Sequence, residues 1–101
     1  MKQFVIIGLG NLGYYLATHL YEKGHDVLAI DTNSNRIQEI KDKVGQAMVA
    51  DATDRKVMES LDVHRMDAAV VCTGTDLSAS ILITLNLKER GAKFSVWTST
   101  S

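Results

Sequence analysis

The chain contains no proline and a single cysteine among its 101 residues. Without proline, its turns fall to glycine and to short Asx-type residues between helices and strands. One thiol, Cys72, can form no internal disulfide and cannot build a metal site alone. No apolar run approaches the ~20 residues needed to cross a bilayer. Charge of one sign is also missing. Eleven basic and twelve acidic residues leave a net charge of -1, whereas a nucleic-acid partner would call for a basic face. The amino end carries one Lys2 and then a short apolar run, with no signal-peptide pattern. A cytoplasmic protein is therefore expected. There is no internal repeat, low-complexity linker or composition break, so residues 1–101 read as one domain. At 46% hydrophobic and 23% charged residues, that domain can bury a core and still dissolve.

What is present is an alternation. Phe4-Val5-Ile6-Ile7 is a continuous apolar run ending at Gly8, as in a strand buried on both faces. Leu12, Leu16 and Leu20, with Tyr15 beside them, then recur at helical spacing, and Gly24 stands where a helix C-cap belongs. Val27-Leu28-Ala29-Ile30 predicts a second buried strand, closed by Asp31. Asn33, Ser34 and Asn35 are candidate N-caps, Asn35 with Gln38 as a capping box. Ile37, Ile40 and Val44 give the next helix its apolar face, with Gly45 as its stop. Ala47–Ala50 is a third, weaker strand. Asp51-Ala52-Thr53-Asp54 opens a short helix with Val57, Met58 and Leu61 inward. Ala68–Cys72 is the fourth strand. Thr73-Gly74-Thr75-Asp76 leads into a long helix whose inner side is assigned to Leu77, Ile81, Leu82 and Leu85, ended by Gly91. Phe94–Trp97 is the fifth strand. Strands alternating with helices require right-handed crossovers and a parallel sheet. The expected architecture is an α/β, Rossmann-like, doubly wound sheet of five strands in the order 3-2-1-4-5. A sixth strand belongs to the full order, so the domain is expected to be truncated before it.

The chemistry-bearing residues fall at the carboxyl ends of those strands. Gly8-Leu9-Gly10-Asn11-Leu12-Gly13 follows a buried strand and opens a helix, the context that gives a glycine motif its meaning. Gly8 permits the tight turn, Gly10 lets backbone approach a pyrophosphate, and Gly13 lets helix and strand pack closely. The helix start aims unpaired N–H groups and a positive dipole end at phosphates. A glycine turn with no ligand is the bland alternative. Asp31 stands about 20 residues further on, where a ribose-binding acid is expected. Its carboxylate would accept both ribose hydroxyls and repel a 2′-phosphate, favouring NAD(H) or an adenosine nucleotide over NADP(H). A capping Asp is the alternative there. Arg36 reads equally as an adenine or phosphate contact and as a solvated helix charge. Asp51 reads equally as an adenine or ribose contact and as a cap shared with Thr53 and Asp54. Thr73 and Gly74 flank the crevice beside the first strand, and Asp76 reads as an N-cap.

No catalytic set accompanies this binding site. Cys72 lies in a buried strand and reads as a structural thiol. His19, His25 and His64 have no visible partner acid and nucleophile. Neither Tyr14 nor Tyr15 has a lysine four residues beyond it, so the Tyr-x-x-x-Lys pattern of short-chain reductases is absent. A dehydrogenase needs a substrate pocket and a proton-handling group near the nicotinamide. From the residues alone the chain is a binding module, either a ligand sensor or the cofactor-binding piece of something larger. An NAD-dependent dehydrogenase fragment is the enzymatic alternative, and an assembly module with an empty turn is a third.

Four segments resemble the amino-terminal lobe of the RCK/KTN (TrkA-N) domains of potassium-conductance regulators and TrkA/KtrA-type uptake proteins. They are Phe4–Gly13; Val27–Asp31 with the polar turn from Thr32 to Arg36 and Ile37; Val49–Asp54; and Ala68–Gly74 with Asp76 and Ser80–Thr84. The Asp51-Ala52-Thr53-Asp54 turn is the most specific of them. The resemblance implies a cytoplasmic, non-catalytic regulator that binds NAD(H) or ATP/ADP. Such a protein forms a dimer or a higher ring and couples ligand state to an integral-membrane potassium transporter or channel. By position, Gly8, Gly10 and Gly13 would shape the phosphate turn, with Asn11 and Leu12 as backbone donors. Asp31 would hold ribose, with Thr32 and Arg36 beyond it. Asp51, Ala52 and Thr53 would face the adenine, and Thr73 and Gly74 would border the phosphates. The resemblance raises Asp51 above its even reading. One departure stands out. Many members carry an arginine just after the fifth strand, where this chain has Trp97, Thr98 and Ser99.

Overall fold

The computed structural model describes residues 1–98. Ser99, in the region of that departure, lies outside them. Five strands, β1 (Gln3–Ile7), β2 (Asp26–Asp31), β3 (Gln46–Val49), β4 (Ala68–Val71) and β5 (Ser95–Trp97), form one sheet in the order β3-β2-β1-β4-β5. Every pairing is parallel, with Val5 opposite both Leu28 and Ala69. The order is the one expected from the alternation.

Helices cover both faces because both faces are apolar. Val5, Ile7, Leu28, Ile30 and Val71 point to one side, where they meet Met58, Ile83 and Leu87 of α3 (Arg55–Ser60) and α4 (Leu77–Glu89). Ile6, Val27 and Ala29 point to the other, where they meet Ala17, Ile37 and Ile40 of α1 (Asn11–Glu22) and α2 (Ser34–Ile40). Residues alternate faces along a strand, so central strands covered on both sides read as the unbroken apolar runs seen here.

Local chemistry sets the ends. Gly24 and Gly91 both have positive φ, and each closes its helix with two backbone bonds. Gly24 and His25 donate to Tyr21 and Leu20, and Gly91 and Ala92 donate to Lys88 and Leu87. Both are Schellman closures. Asp76 caps α4 as expected, accepting from the Ala79 amide at 3.0 Å. At α2 the cap is Asn33, whose side chain accepts from the amides of Asn35 and Arg36. The Asn35–Gln38 capping box is thereby corrected, because Asn35 already lies inside the helix. α2 also stops at Ile40 rather than at Gly45, and the buried Val44 sits in the turn that follows.

The largest correction concerns α4. Leu77, Ile81, Leu82 and Leu85 face outward, each about half exposed, and the buried stripe is Ser80, Ile83, Asn86 and Leu87. Two apolar stripes run along this helix, and periodicity alone fits both. The choice is made at its start. The Asp76 cap and a hydrogen bond between the Ser80 and Thr73 hydroxyls turn Ser80 toward the sheet, and Ile83 and Leu87 follow at helical spacing. Tyr15 likewise points out, and the residues of α1 nearest the sheet are Gly13 and Ala17.

Candidate functional site

The carboxyl ends of the strands open onto a cleft of about 770 Å³. In an open parallel sheet this is the ligand-binding edge, at the point where the strand order reverses. β1 lies between β2 and β4, so the reversal falls beside the Gly8 turn.

That turn is built by close approach. Gly8 has φ +96°, and a Cβ there would lie 2.3 Å from the Cys72 carbonyl oxygen. A Cβ on Gly13 would lie 1.9 Å from the Gly8 carbonyl oxygen. Neither position has room for any side chain. The missing Cβ of Gly13 seats α1 on the turn, which is the packing role expected of it. Gly10 is the residue before α1 and lines the cleft. Asn11 and Leu12 form the first turn of the helix, just outside the residues that line the cleft.

Asp31, at the end of β2, is 8% exposed. One carboxylate oxygen accepts the Leu9 amide at 2.7 Å, and the other accepts the Asn33 amide at 2.8 Å. Arg36 approaches the first oxygen at 3.5 Å, with its own side chain half exposed. The pair places Arg36 beside Asp31 on the cleft wall. Two carboxylate oxygens offer about four lone-pair sites, which leaves acceptor capacity facing the cleft. Thr32 lies beside Asp31 on the cleft wall.

On the far side of β2, the turn after β3 separates two roles that spacing left merged. Asp54 caps α3 through the Lys56 amide at 2.9 Å. Asp51 is free of that duty. It accepts the Thr53 amide at 2.9 Å and the Thr53 hydroxyl at 2.6 Å. Those two bonds, the hydroxyl's first, hold its carboxyl below the usual carboxylate range. Asp51, Ala52 and Thr53 all line the cleft.

Opposite them lie Thr73 and Gly74, followed by Thr75 and Asp76. Ser80 donates to the Asp76 carbonyl at 3.0 Å, which leaves the Thr73 hydroxyl as the donor in its bond to Ser80. Cys72 sits at the cleft floor, 2% exposed, and desolvation pushes its thiol up.

The structure therefore gathers ten of the thirteen expected site residues around one cleft, with Asn11, Leu12 and Gly13 in the helix start behind it. It adds residues that sequence reasoning missed. Ala79 and Ile83 of α4 form an apolar wall of the cleft. Asn86, one turn further along and 9% exposed, donates to the carbonyls of Ala52 and Thr53 at 3.4 and 3.2 Å. The signal for it was a lone polar residue between Leu85 and Leu87, hidden by assigning the wrong face of the helix inward. The histidines take no part in the cleft. His25 accepts the Lys2 amide and meets Phe4 edge-on, and His19 stacks on Tyr15.

The family model of the TrkA-N domain matches residues 4–101. The chain is 42% identical over 96 residues to the Ktr system potassium uptake protein A of Vibrio alginolyticus, covering 95% of this chain and 43% of that protein. It is 37% identical over 90 residues to the Ktr system potassium uptake protein C of Bacillus subtilis, covering 89% and 41%. The chain thus spans about two fifths of the length of these curated relatives. Among solved structures it is similar to the NAD(P)-binding domain of an exopolyphosphatase-related protein from Archaeoglobus fulgidus. The TM-score is 0.77 at 24% identity, over 98% of this chain and 90% of that one. That likeness is one of fold.

Proposed function

The chain belongs to the TrkA-N domain family, and from that premise we propose that it is the nucleotide-sensing domain of a potassium uptake system. In this reading it binds NAD(H), or alternatively ATP/ADP, in the cleft at the carboxyl edge of the sheet. It acts without catalysis, as part of a homo-oligomer that docks from the cytoplasm on an integral-membrane potassium transporter or channel. Gly8, Gly10 and Gly13 shape the phosphate turn, and Asn11 and Leu12 present backbone donors there. Asp31 holds ribose, with Thr32 and Arg36 at its side. Asp51, Ala52 and Thr53 face the adenine, and Thr73 and Gly74 border the phosphates.

The observation that carries this reading is how the acids of the cleft are used. Asp31 is held by two backbone amides, Asp51 by Thr53, and Asp76 by the Ala79 amide. Each carboxylate fixes backbone in place, which suits recognition. A general base needs instead a free, proton-accepting group within reach of substrate. The relatives, named as potassium uptake components, favour the same reading over a dehydrogenase. Among the described residues no helix is long and apolar enough to cross a membrane.

Nucleotide state would act through the geometry between two lobes, a change that the membrane partner senses. A ligand shifts such an equilibrium only by its differential affinity for the two states. Calorimetric titration of the chain with NAD+, NADH, ATP and ADP tests the proposal. Saturable binding of at least one of them is expected. Absence of binding by all would overturn it.

A further inference from the structure

Two contacts of α4 reach the two ends of the cleft. Near its start, Ser80 bonds to Thr73, beside the expected phosphate position. Near its end, the Asn86 side-chain amide donates to Ala52 and Thr53, in the turn that carries Asp51. Asn86, Glu89 and Arg90 lie three and four residues apart, hence on one face of the helix. Glu89 pairs with Arg55 at 3.3 Å, and Arg90 pairs with Glu59 at 3.1 Å. This face therefore braces the turn and the α3 helix that follows it. The two ion pairs are exposed, and exposed pairs contribute little. The buried member is Asn86. Its donors meet two carbonyls that belong to no strand ladder, one buried and one partly buried, and a buried acceptor left unpaired is costly.

We propose that Asn86 is a positioning residue for the nucleotide site. Its amide fixes the Asp51–Thr53 turn to α4 and so sets where the adenosine end of the cleft lies relative to the phosphate end. This rests on the reading of the cleft as an adenine-nucleotide site. Asn86 touches no ligand in this scheme; it acts through Asp51 and the backbone of Ala52 and Thr53. Leucine has the same branched shape and the same number of side-chain heavy atoms, though its methyl groups are bulkier, and alanine is smaller; both leave the two carbonyls without their donor. The turn would then sample other conformations while the glycine turn, two strands away at the end of β1, keeps its shape.

The test compares the chain with its Asn86→Leu and Asn86→Ala variants. Calorimetry gives affinities for ADP and for inorganic pyrophosphate, which lacks the adenosine. Amide hydrogen exchange reports the turn directly through Thr53 and Asp54. In a folded variant, ADP should bind about fivefold more weakly, the equivalent of one net hydrogen bond, with pyrophosphate affinity unchanged. The Thr53 and Asp54 amides should exchange faster while those of β1 do not. Unchanged ADP affinity, or parallel weakening for ADP and pyrophosphate, would overturn the proposal. So would failure of both variants to fold, since the amide would then hold the fold rather than the site. If the unsubstituted chain bound neither probe, and none of NAD+, NADH and ATP, the nucleotide reading itself would fall. Amide exchange alone would then decide whether Asn86 sets the turn.

Discussion

The Asp31 carboxylate accepts the Leu9 amide at 2.7 Å across 22 residues of chain. The expected ribose anchor and the glycine turn are thus one hydrogen-bonded unit before any ligand arrives. The same carboxylate holds the Asn33 amide, and Asn33 caps α2. One side chain ties together β1, β2 and the helix that follows each of them.

Replacing that carboxylate by its isostere tests this double role. In Asp31→Asn one oxygen becomes an NH2 group that faces a backbone donor. Hydrogen bonds to charged groups contribute about 1.5–3 kcal/mol, and a loss of that size is expected in urea denaturation. Under the proposed function NAD+ affinity also falls. The preference for NAD+ over NADP+ narrows, because the negative charge that repels a 2′-phosphate is gone. An unchanged preference in a folded variant would remove Asp31 from the ribose site.

The outward stripe of α4 gives a second test. Ile81→Lys or Leu82→Lys should shift the denaturation midpoint of the isolated chain little, within about 0.5 kcal/mol, as for surface positions. Leu87→Ala should cost about 2–5 kcal/mol, as for a fully buried leucine. The reverse ranking would restore the face that periodicity first suggested.

The Asp51 titration has a definite sign. Its folded pKa is lowered below the ordinary 3.8, first by the Thr53 hydroxyl and then by the Thr53 amide. Stability from this group is therefore complete above pH 3.8 and is lost as pH falls through the folded value. Carboxyl-carbon NMR should place the Asp51 midpoint below 3.8. In Thr53→Val, which removes the larger cause, it should move back up.

Cys72 should be inert in the folded chain. The thiolate is the reactive species, and burial pushes this thiol up. A disulfide exchange reagent at pH 8 should label it at the rate of unfolding and rapidly in denaturant. Fast labelling under native conditions would show that the cleft floor is open to solvent.

Much of this was legible in the sequence because it depends on runs and on glycines. A parallel sheet covered on both faces writes itself as unbroken apolar strands, and Phe4–Ile7 and Val27–Ile30 gave β1 and β2. Gly24 and Gly91 marked helix ends through positive φ, a constraint carried by the residue itself. The failures lie where a choice is settled by contacts between distant segments. α4 carries two stripes, and only the Ser80–Thr73 bond and the Asp76 cap select one. Asn86 was hidden with the selected face, because its partners stand 33 and 34 residues away. Asp51 and Asp54 compete for one cap in a turn of four residues, and spacing cannot rank them. Arg36 reads equally as a ligand contact and as a solvated charge, and spacing gives no hint that the fold brings it beside Asp31.

The two closed glycines also bear on how such a chain can change. Any substitution in the first two bases of a glycine codon installs a side chain or a stop. At Gly13 the smallest of these already places a carbon 1.9 Å from the Gly8 oxygen. No mild allele exists at this position, and overpacking of this kind typically costs about 1–3 kcal/mol or more. Genetic drift can therefore soften the rim of the cleft residue by residue, at Thr32 or Thr75, but the turn beneath it is inherited whole or lost.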